Sequence, residues 1–405
     1  MNRSARAGHP GPPALVFGNG ITALGVQRIL AVDDVPFFTV DRRDPFVVRS
    51  RHHRPLRHDI DDPRPEGLED WLHALPLERA VLLPCADIWV TAVADLGPEL
   101  RSRFPASISS PDVIEKLVDK ARFAATLDRL EIPHPRTEDV DTRQDLEGIL
   151  DGGFHGAFLK PRDSARFFRR FRCKAFRADT PAELAARLGE VTDAGLGVIV
   201  QEYIPGPPSN HYFIDGFRDA GGTVRALFAR QRLRMYPTSF GNSTLMRSVA
   251  IDEVAGAAKS LQRLLSALRY RGVFSAEFKL DPRDQRFKLL EVNTRPWWYV
   301  EFAARCGVDV CAMAYRDALG EAVSTVESYR TGIACVYPYM DFSACQSLRR
   351  SGKLSLAEWA RSWAGALQPV FRWDDPWPAA AAVADLIGGK LSGGLRRRDG
   401  DRNQS

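Results

Sequence analysis

Two glutamates, an asparagine and an arginine lie close together in the segment VFSAEFKLDPRDQRFKLLEVNTRP, which spans residues 273–296. The turn sequence DPRDQ separates two alternating apolar stretches, which predicts a β-hairpin that brings Glu277 and Glu291 side by side. Because side chains two residues apart on a strand share a face, Glu291, Asn293 and Arg295 should point the same way. Carboxylate and amide oxygens are ligands that Mg²⁺ prefers, so Glu277, Glu291 and Asn293 are predicted metal ligands. Arg295 would hold a carboxylate or stabilise an oxyanion beside them. An exposed hairpin with solvated charges is the alternative.

Three lysines are candidates for phosphate contacts, because an ammonium group is a compact charge for anionic oxygens. Lys160 ends the apolar stretch AFLKP, which predicts a fixed, inward position. Lys120 lies on a predicted helix, where a solvated position is an equal alternative, and Lys174 lies on the strand after Lys160. The intervening segment RDSARFFRRFRC lacks the glycines that let backbone N–H groups approach a phosphate. Either its side chains cover phosphates or it is a solvated basic loop; the candidates are Ser164, Arg166, Arg169, Arg170 and Arg172.

Two further segments carry polar groups at the ends or along the faces of predicted strands. The stretch VIVQEYIPG ends an apolar strand before a Pro-Gly turn, and it could present backbone groups and a carboxylate to an adenine edge. Its candidate residues are Gln201, Glu202, Tyr203 and Ile204, with an ordinary strand end as the alternative. In ARQRLR, Arg230 and Arg232 share a strand face and could clamp a carboxylate or a phosphate. A solvated strand face is the alternative for these arginines.

The elements that would position these residues follow a recognisable order. After a disordered start at residues 1–13, alternating strands and helices predict a small doubly wound α/β unit over residues 14–105. A helix is predicted over 111–130 with Ser110 as its N-cap, followed by two prolines that stop it. Short strands with interspersed helices then predict an α+β region with antiparallel sheets to about residue 325. Its parts are a linker helix at 111–130, a small lobe at about 136–200 and a large lobe at about 201–325, followed by a C-terminal extension at 326–387 and a disordered basic tail at 388–405.

The composition of the chain indicates which broad classes of protein are compatible with it. With 405 residues, of which 44% are hydrophobic, the chain is long enough for two or three packed domains. Its net charge of +5 mildly favours anionic small molecules and gives no indication of nucleic acid binding. The six cysteines show no zinc-finger spacing, which favours a reduced, cytoplasmic protein. No signal peptide and no apolar run long enough for membrane insertion is found.

The segments DK, KP, QEYI, SAEFKLD and EVNTRP, in this order and spacing, resemble an ATP-grasp enzyme of the carboxylate-amine ligase branch, which includes D-aspartate ligases. The resemblance covers residues 14 to about 320, and EVNTRP with the glutamate fourteen residues before it is its most specific part. It implies a pre-ATP-grasp domain at 14–105 followed by a two-lobed ATP-grasp domain at 106–325. The implied reaction activates a carboxylate as an acyl phosphate at the expense of ATP and couples it to an amine, releasing ADP and phosphate.

The resemblance also implies the roles of single residues. Mg²⁺ would be held by the two glutamates and Asn293, with Mn²⁺ as an alternative metal, and Arg295 would contact the transferred phosphoryl group. ATP would be held through its phosphates by Lys120 and Lys160 and at its adenine by Glu202 and Ile204. The sequence departs from the pattern of the family at two places that would contact the nucleotide. The segment after Lys160 has no glycine. No acid that could bind the ribose follows PGPPSNHY, where Asn210 or His211 would substitute. The implied partners are a small carboxylate and an amine, and a homodimer is a further expectation.

Three other functions fit parts of the sequence. A dinucleotide-dependent oxidoreductase would use Gly18, Gly20 and Gly25, but their GxGxxxxG spacing departs from GxGxxG and the downstream metal ligands would have no purpose. A non-catalytic nucleotide-binding protein would be indicated by lost metal ligands, which are all present here. A ligase that uses a thiol or another nucleophile instead of an amine is separable only through its product.

Overall fold

The computed structural model describes residues 11–384, apart from positions 42, 57–61, 141–153, 155, 163, 174, 239 and 240. The stretches predicted to be disordered therefore lie outside the described residues, except for 11–13. The strands are β1 Ala14–Phe17, β2 Phe37–Thr39, β3 Val81–Pro84, β4 Thr137–Val140, β5 Ala157–Pro161, β6 Phe176–Ala178, β7 Val198–Glu202, β8 His211–Arg218, β9 Val224–Tyr236, β10 Asn242–Val249, β11 Gly272–Asp281, β12 Arg286–Asn293 and β13 Ala334–Val336.

The helices are α1 Gly20–Val32, α2 Pro45–Val48, α3 Leu68–Ala74, α4 Asp87–Asp95, α5 Pro98–Arg103, α6 Pro111–Val118, α7 Lys120–Arg129, α8 Ser164–Phe171, α9 Pro181–Asp193, α10 Ala255–Ala267, α11 Val300–Cys306, α12 Val310–Ala318, α13 Pro338–Arg350 and α14 Leu356–Trp363. Within the described ranges, none of the helices is both long and apolar enough to cross a bilayer.

The N-terminal unit is a parallel sheet in the order β2-β1-β3, as the doubly wound prediction required. Strand β1 is buried along its whole length because parallel strands are covered on both faces. The loops after β1 and β3 meet at one edge, as parallel strands demand. There Gly18 adopts a φ of +132°, and a Cβ at this position would lie 3.0 Å from the Cβ of Cys85, so the close approach requires glycine.

The rest of the chain builds two antiparallel sheets, so the predicted combination of α/β and α+β architecture is confirmed. One sheet has the order β4-β7-β5-β6 and the other has the order β12-β11-β8-β9-β10-β13. The turn between β11 and β12 forms the predicted hairpin, in which Glu277 pairs directly with Glu291. A bulge after this pair, where Phe278 pairs with Leu289, locally increases the twist of the hairpin.

The single helix predicted over 111–130 is wrong, because the chain breaks it at Asp119. This residue has an extended backbone (φ −74°, ψ 118°), and its carboxylate accepts a hydrogen bond of 2.8 Å from the backbone N–H of Arg122. Asp119 is therefore the N-cap of α7 instead of an interior residue of a longer helix. Ser110 does precede α6, but its side chain makes no capping hydrogen bond.

The basic segment after Lys160 is helical instead of forming a loop. Helix α8 buries Phe167 completely in the core of the four-stranded sheet and exposes Arg169 and Arg170. A segment without glycine readily forms the backbone hydrogen bonds of a helix, and the apolar face of this helix can then pack against the sheet. The arginines thus lie on the outer face of a helix.

The segment after residue 330 is integrated into the fold. Strand β13 pairs with β10 at the edge of the six-stranded sheet. Asp341 of α13 is fully buried and accepts hydrogen bonds from Arg234 of β9 at 3.0 and 2.8 Å. Asp375 is also fully buried and forms an ion pair of 2.9 Å with Arg28 of α1. The C-terminal segment is therefore tied to both the N-terminal unit and the large sheet.

Candidate active site

The carboxylates predicted as metal ligands face each other across the β11–β12 hairpin. Glu277 is partly buried, and its Oε1 atom accepts hydrogen bonds from Nδ1 of His211 at 2.8 Å and Nη2 of Arg232 at 3.0 Å. Glu291 is open to the cleft, and its Oε1 lies 3.3 Å from Nδ2 of Asn293. The structure thus brings all three predicted metal ligands together, with His211 and Arg232 beside them.

The two carboxylates have opposite electrostatic environments. Desolvation opposes the charge of Glu277, but Arg232 and His211 outweigh it and lower the pKa of this carboxyl to about 2. Desolvation in the cleft and the neighbouring Glu277 raise the pKa of Glu291. A cation between the two carboxylates would relieve their repulsion, because an opposite charge favours the ionised form.

The donor set fits a magnesium ion that is shared with a ligand. Among the described residues, no group of three or more His, Cys, Asp or Glu side chains could hold a metal by itself. Two carboxylates and one amide oxygen leave coordination positions that Mg²⁺ commonly fills with water and phosphate oxygens. The chemistry of the site therefore fits Mg²⁺ that has further ligands besides these three side chains.

The predicted phosphate lysines approach this site from another sheet and from α7. Lys160 of β5 donates a hydrogen bond of 2.6 Å to Oε1 of Gln201 on β7. Desolvation lowers the pKa of its ammonium, an effect that the nearby Glu291 and Glu277 oppose. Lys120, the first residue of α7, donates to the backbone carbonyl of Pro161 at 3.3 Å. Lys174 and the side chain of Ser164 lie outside what the structure describes.

The segment predicted to bind adenine continues from the end of β7. Ile204 is buried, and the carboxylate of Glu202 forms an ion pair of 2.7 Å with Arg283. The ring of Tyr203 packs against that of Phe158, with centroids 5.6 Å apart. This segment therefore links the end of the four-stranded sheet to the β11–β12 hairpin, and its contact with adenine stays a prediction.

The two arginines predicted as an anion clamp have different partners. Arg232 is buried between Glu277 and the hydroxyl of Ser243, which it reaches at 2.8 Å. Arg230 is also buried, but its guanidinium pairs with Asp215 inside the large sheet, at 2.5 and 3.2 Å. Arg232 thus lies at the carboxylates, whereas Arg230 is engaged in an internal ion pair, and its role towards a substrate stays a prediction.

Arg295 connects the hairpin to the N-terminal unit through an acid that the sequence analysis did not single out. Its Nε and Nη2 atoms donate to the two oxygens of Asp87 at 2.8 and 3.0 Å. The Nη2 atom also lies 3.3 Å from Oδ1 of Asn293. Asp87 begins α4 directly after the β3 loop, and this position at the edge of a parallel sheet was the available signal for it.

Lys279 is a second residue that the sequence analysis missed. It follows Glu277 by two positions on β11 and therefore shares its face. Its side chain is 5% exposed, and the ammonium lies 4.8 Å from the ring centre of Tyr203. Burial and the nearby Arg232 lower the pKa of this ammonium to about 8. The alternation with Glu277 was the signal that could have identified it.

A cavity of about 290 Å³ is lined by part of this set of residues. Its lining includes Asp87, Lys120, Lys160, Glu291 and Asn293. A larger cavity of about 720 Å³ lies between α1, α11 and the C-terminal segment, but Arg28 and Glu301 in its wall already form an ion pair. The smaller cleft is therefore the candidate active site, because it holds the charged groups that face one another across two sheets.

Comparisons with known proteins agree with the motifs. No family model matches the chain. A D-aspartate ligase of Enterococcus faecium (strain Aus0004) is 27% identical over 250 residues, which are 59% of this chain and 59% of the ligase. The chain thus spans less than two thirds of the length of this curated relative. The predicted resemblance to D-aspartate ligases is confirmed at this level of similarity.

Solved structures show the same fold at low identity. The N5-carboxyaminoimidazole synthetase from Staphylococcus aureus, complexed with ADP, has a TM-score of 0.61 at 12% identity, over 80% of this chain and 81% of that chain. The biotin carboxylase domain of the Hydrogenobacter thermophilus 2-oxoglutarate carboxylase, with MgADP, has a TM-score of 0.62 at 16% identity, over 80% and 73%. These are ATP-grasp proteins, so the chain has the ATP-grasp fold, as its motifs predicted.

Proposed function

We propose that this protein is an ATP-dependent ligase that activates a small carboxylate as an acyl phosphate and couples it to an amine, releasing ADP and phosphate. The observation that carries the proposal is the cleft lined by Glu291 and Asn293 on one side and by Lys160 and Lys120 on the other, with Glu277 paired to Glu291 across the hairpin. Two carboxylates for a metal and two lysines for phosphates are the groups that phosphoryl transfer needs.

The chain's own residues would act by binding and charge neutralisation. Lys120 and Lys160 would hold phosphate oxygens, and the segment from Gln201 to Ile204 would contact the base. Arg295 and Arg232 would stabilise negative charge on the transferred group and on the carboxylate. Such positioning needs no nucleophilic side chain, because the substrate carboxylate and the amine are themselves the reacting groups.

The metal that fits the site is Mg²⁺, with Mn²⁺ as an alternative for the same oxygen ligands. Glu277, Glu291 and Asn293 would hold it, and when bound it would neutralise charge on the phosphate oxygens. The MgADP in the structural neighbour supports this assignment.

The curated relative supports the proposed type of reaction. Its name describes a ligase of D-aspartate, and we extend to this chain only the coupling of a carboxylate to an amine. We further propose a cytoplasmic protein, consistent with six free cysteines in the described part of the chain. We also propose that the protein forms a homodimer, which a measurement of its mass in solution would test.

The first experiment is calorimetric titration of ATP, with and without Mg²⁺, into the wild type and the Glu291→Ala, Asn293→Ala double variant. The matched control is Glu190→Ala, which removes a carboxylate from an exposed ion pair with Arg187 on α9. NADH serves as the comparison ligand. We expect Mg-dependent ATP binding in the wild type and the control, and its loss in the double variant.

A second step separates the alternatives. With pools of carboxylic acids, ATP and hydroxylamine, an acyl phosphate would be trapped as a hydroxamate, with one ADP released for each product. Binding of ATP without ADP release from any acid would favour a non-catalytic nucleotide-binding protein. Product formed with thiols but not with amines would favour a thioester-forming ligase. Binding of NADH with indifference to Mg-ATP would refute the ligase and favour an oxidoreductase.

A further inference from the structure

Lys279 has a buried ammonium group, and although Glu277 and Asp281 on either side favour its charge, neither of them contacts it directly. Its side chain is 5% exposed, yet it makes no hydrogen bond and no ion pair with any residue that the structure describes. The ring of Tyr203, 4.8 Å from the ammonium, compensates only part of the charge. Burying an unpaired ammonium is costly, so a position of this kind favours the binding of an anionic partner.

The neighbouring carboxylates are already engaged with other cations. Glu277, two residues before Lys279, accepts hydrogen bonds from His211 and Arg232. Asp281, two residues after it, is held by both ends of the guanidinium of Arg283. The face of β11 around Lys279 therefore has an excess of positive charge, and the ligand that it fits is an anion.

The position along the strand indicates which part of a nucleotide this anion is. Glu277 marks the metal end of the face, and the Arg283–Glu202 ion pair marks the end at the segment predicted to bind adenine. Lys279 lies between the two, roughly 7 Å from each neighbour on its face at the ordinary rise of a strand. A nucleotide that extends from the metal ligands to Tyr203 must pass this ammonium.

We infer that Lys279 is a nucleotide-binding residue whose ammonium contacts the phosphate next to the ribose, the one that ATP, ADP and AMP share. This inference rests on the proposed nucleotide function and adds a residue that the motifs did not indicate. The phosphates farther from the ribose would remain with the metal ligands, Lys120 and Lys160. Lys279 contributes affinity that does not depend on the metal.

The test is calorimetric titration of ATP, ADP and AMP, each with and without Mg²⁺, into the wild type and Lys279→Met. Methionine keeps an unbranched side chain of similar length and removes the charge. The matched control is Lys288→Met, because Lys288 pairs with Lys279 across the hairpin, but its ammonium forms an ion pair of 2.6 Å with Asp284. We expect Lys279→Met to bind all three nucleotides more weakly, with a Kd roughly ten- to hundredfold higher than that of the wild type, with or without Mg²⁺.

Several results would overturn the inference. Unchanged affinity in Lys279→Met, or an equal loss in Lys288→Met, would exclude a specific contact. A loss for ATP but not for ADP and AMP would place the ammonium at the terminal phosphate instead. Lys279→Arg, which keeps the charge, should bind within a few-fold of the wild type, and failure of this rescue in a folded variant would also refute the contact. A wild type that binds no nucleotide would refute the proposed function itself.

Discussion

Replacing the buried Asp341 by asparagine should strongly lower the free energy of unfolding of the protein. This carboxylate is fully buried and accepts two hydrogen bonds from Arg234, one from Thr244 and one from each indole of Trp359 and Trp363. The neutral amide would leave the buried guanidinium without a counter-charge and would turn an N–H group towards other donors. Breaking a buried pair in this way costs about 3–5 kcal/mol.

The magnitude is large because the whole stability of a domain is about 5–15 kcal/mol. Urea unfolding followed by tryptophan fluorescence and by far-ultraviolet circular dichroism would measure the change in midpoint. The matched control is Asp374→Asn, because Asp374 forms an ion pair with Arg372 but its side chain is 49% exposed. A surface pair of this kind contributes less than about 1 kcal/mol.

A double-mutant cycle would show whether the pair itself is responsible. Once Arg234→Met has removed the buried cation, Asp341→Asn should cost less than it does in the wild type, so the two changes should not add. Full additivity would mean that the indole and hydroxyl donors, not the ion pair, account for the loss. An Asp341→Asn variant within about 1 kcal/mol of the wild type would refute the reasoning altogether.

Three further predictions concern charge and exposure elsewhere. Burial and the neighbouring Asp33 raise the pKa of Asp309 from 3.8 to about 7, so the folded state keeps a proton that the unfolded state has lost, and stability should fall as pH rises from about 4 to about 7. Asp309→Asn should remove this fall, which for the wild type should make the free energy of unfolding from urea titrations roughly 3 kcal/mol lower at pH 8 than at pH 4.5. A thiol reagent should modify Cys173 in the native protein and the five buried cysteines only after unfolding, as counted by absorbance. Asp87→Asn should change stability by less than about 1 kcal/mol, because Asp87 is 44% exposed where it pairs with Arg295.

Each of these predictions has a result that would contradict it. Parallel pH profiles for the wild type and Asp309→Asn would show that the carboxyl titrates normally. Fast modification of two or more thiols in the native state would indicate that the buried cysteines become exposed by local opening. A large loss of stability in Asp87→Asn would mean that the contact with Arg295 holds the N-terminal unit to the rest of the chain.

The β11–β12 hairpin was predictable because its determinants are local. A turn sequence and the two-residue period of a strand place Glu277 opposite Glu291 and Asn293 on the same face as Glu291, whatever the rest of the chain does. The parallel N-terminal sheet was predictable for the same reason, since buried strands alternate with helical patterns. Both features depend on residues that are close in sequence.

The features that were missed depend on distant partners or on competing local choices. Asp119 fits a solvated helix position as well as an N-cap, and the packing of the flanking helices decides between them. Lys279 looks like a solvent-facing strand residue until Tyr203 from another part of the chain covers it. Arg28 resembles an ordinary helix charge because its partner Asp375 lies 347 positions later.

The ion pair between Arg28 and Asp375 also constrains the order in which the protein can be completed during synthesis. A ribosome that adds 5–20 residues per second needs roughly 20–70 s to cover the 347 residues between these partners. Arg28 gains its first buried counter-charge when Glu301 is made, and the set is complete only when Asp375 follows. The unit should therefore stay open to chaperones until the segment that carries Asp375 emerges, and synthesis of this segment, more than formation of the first sheet, would set the moment of its final closure.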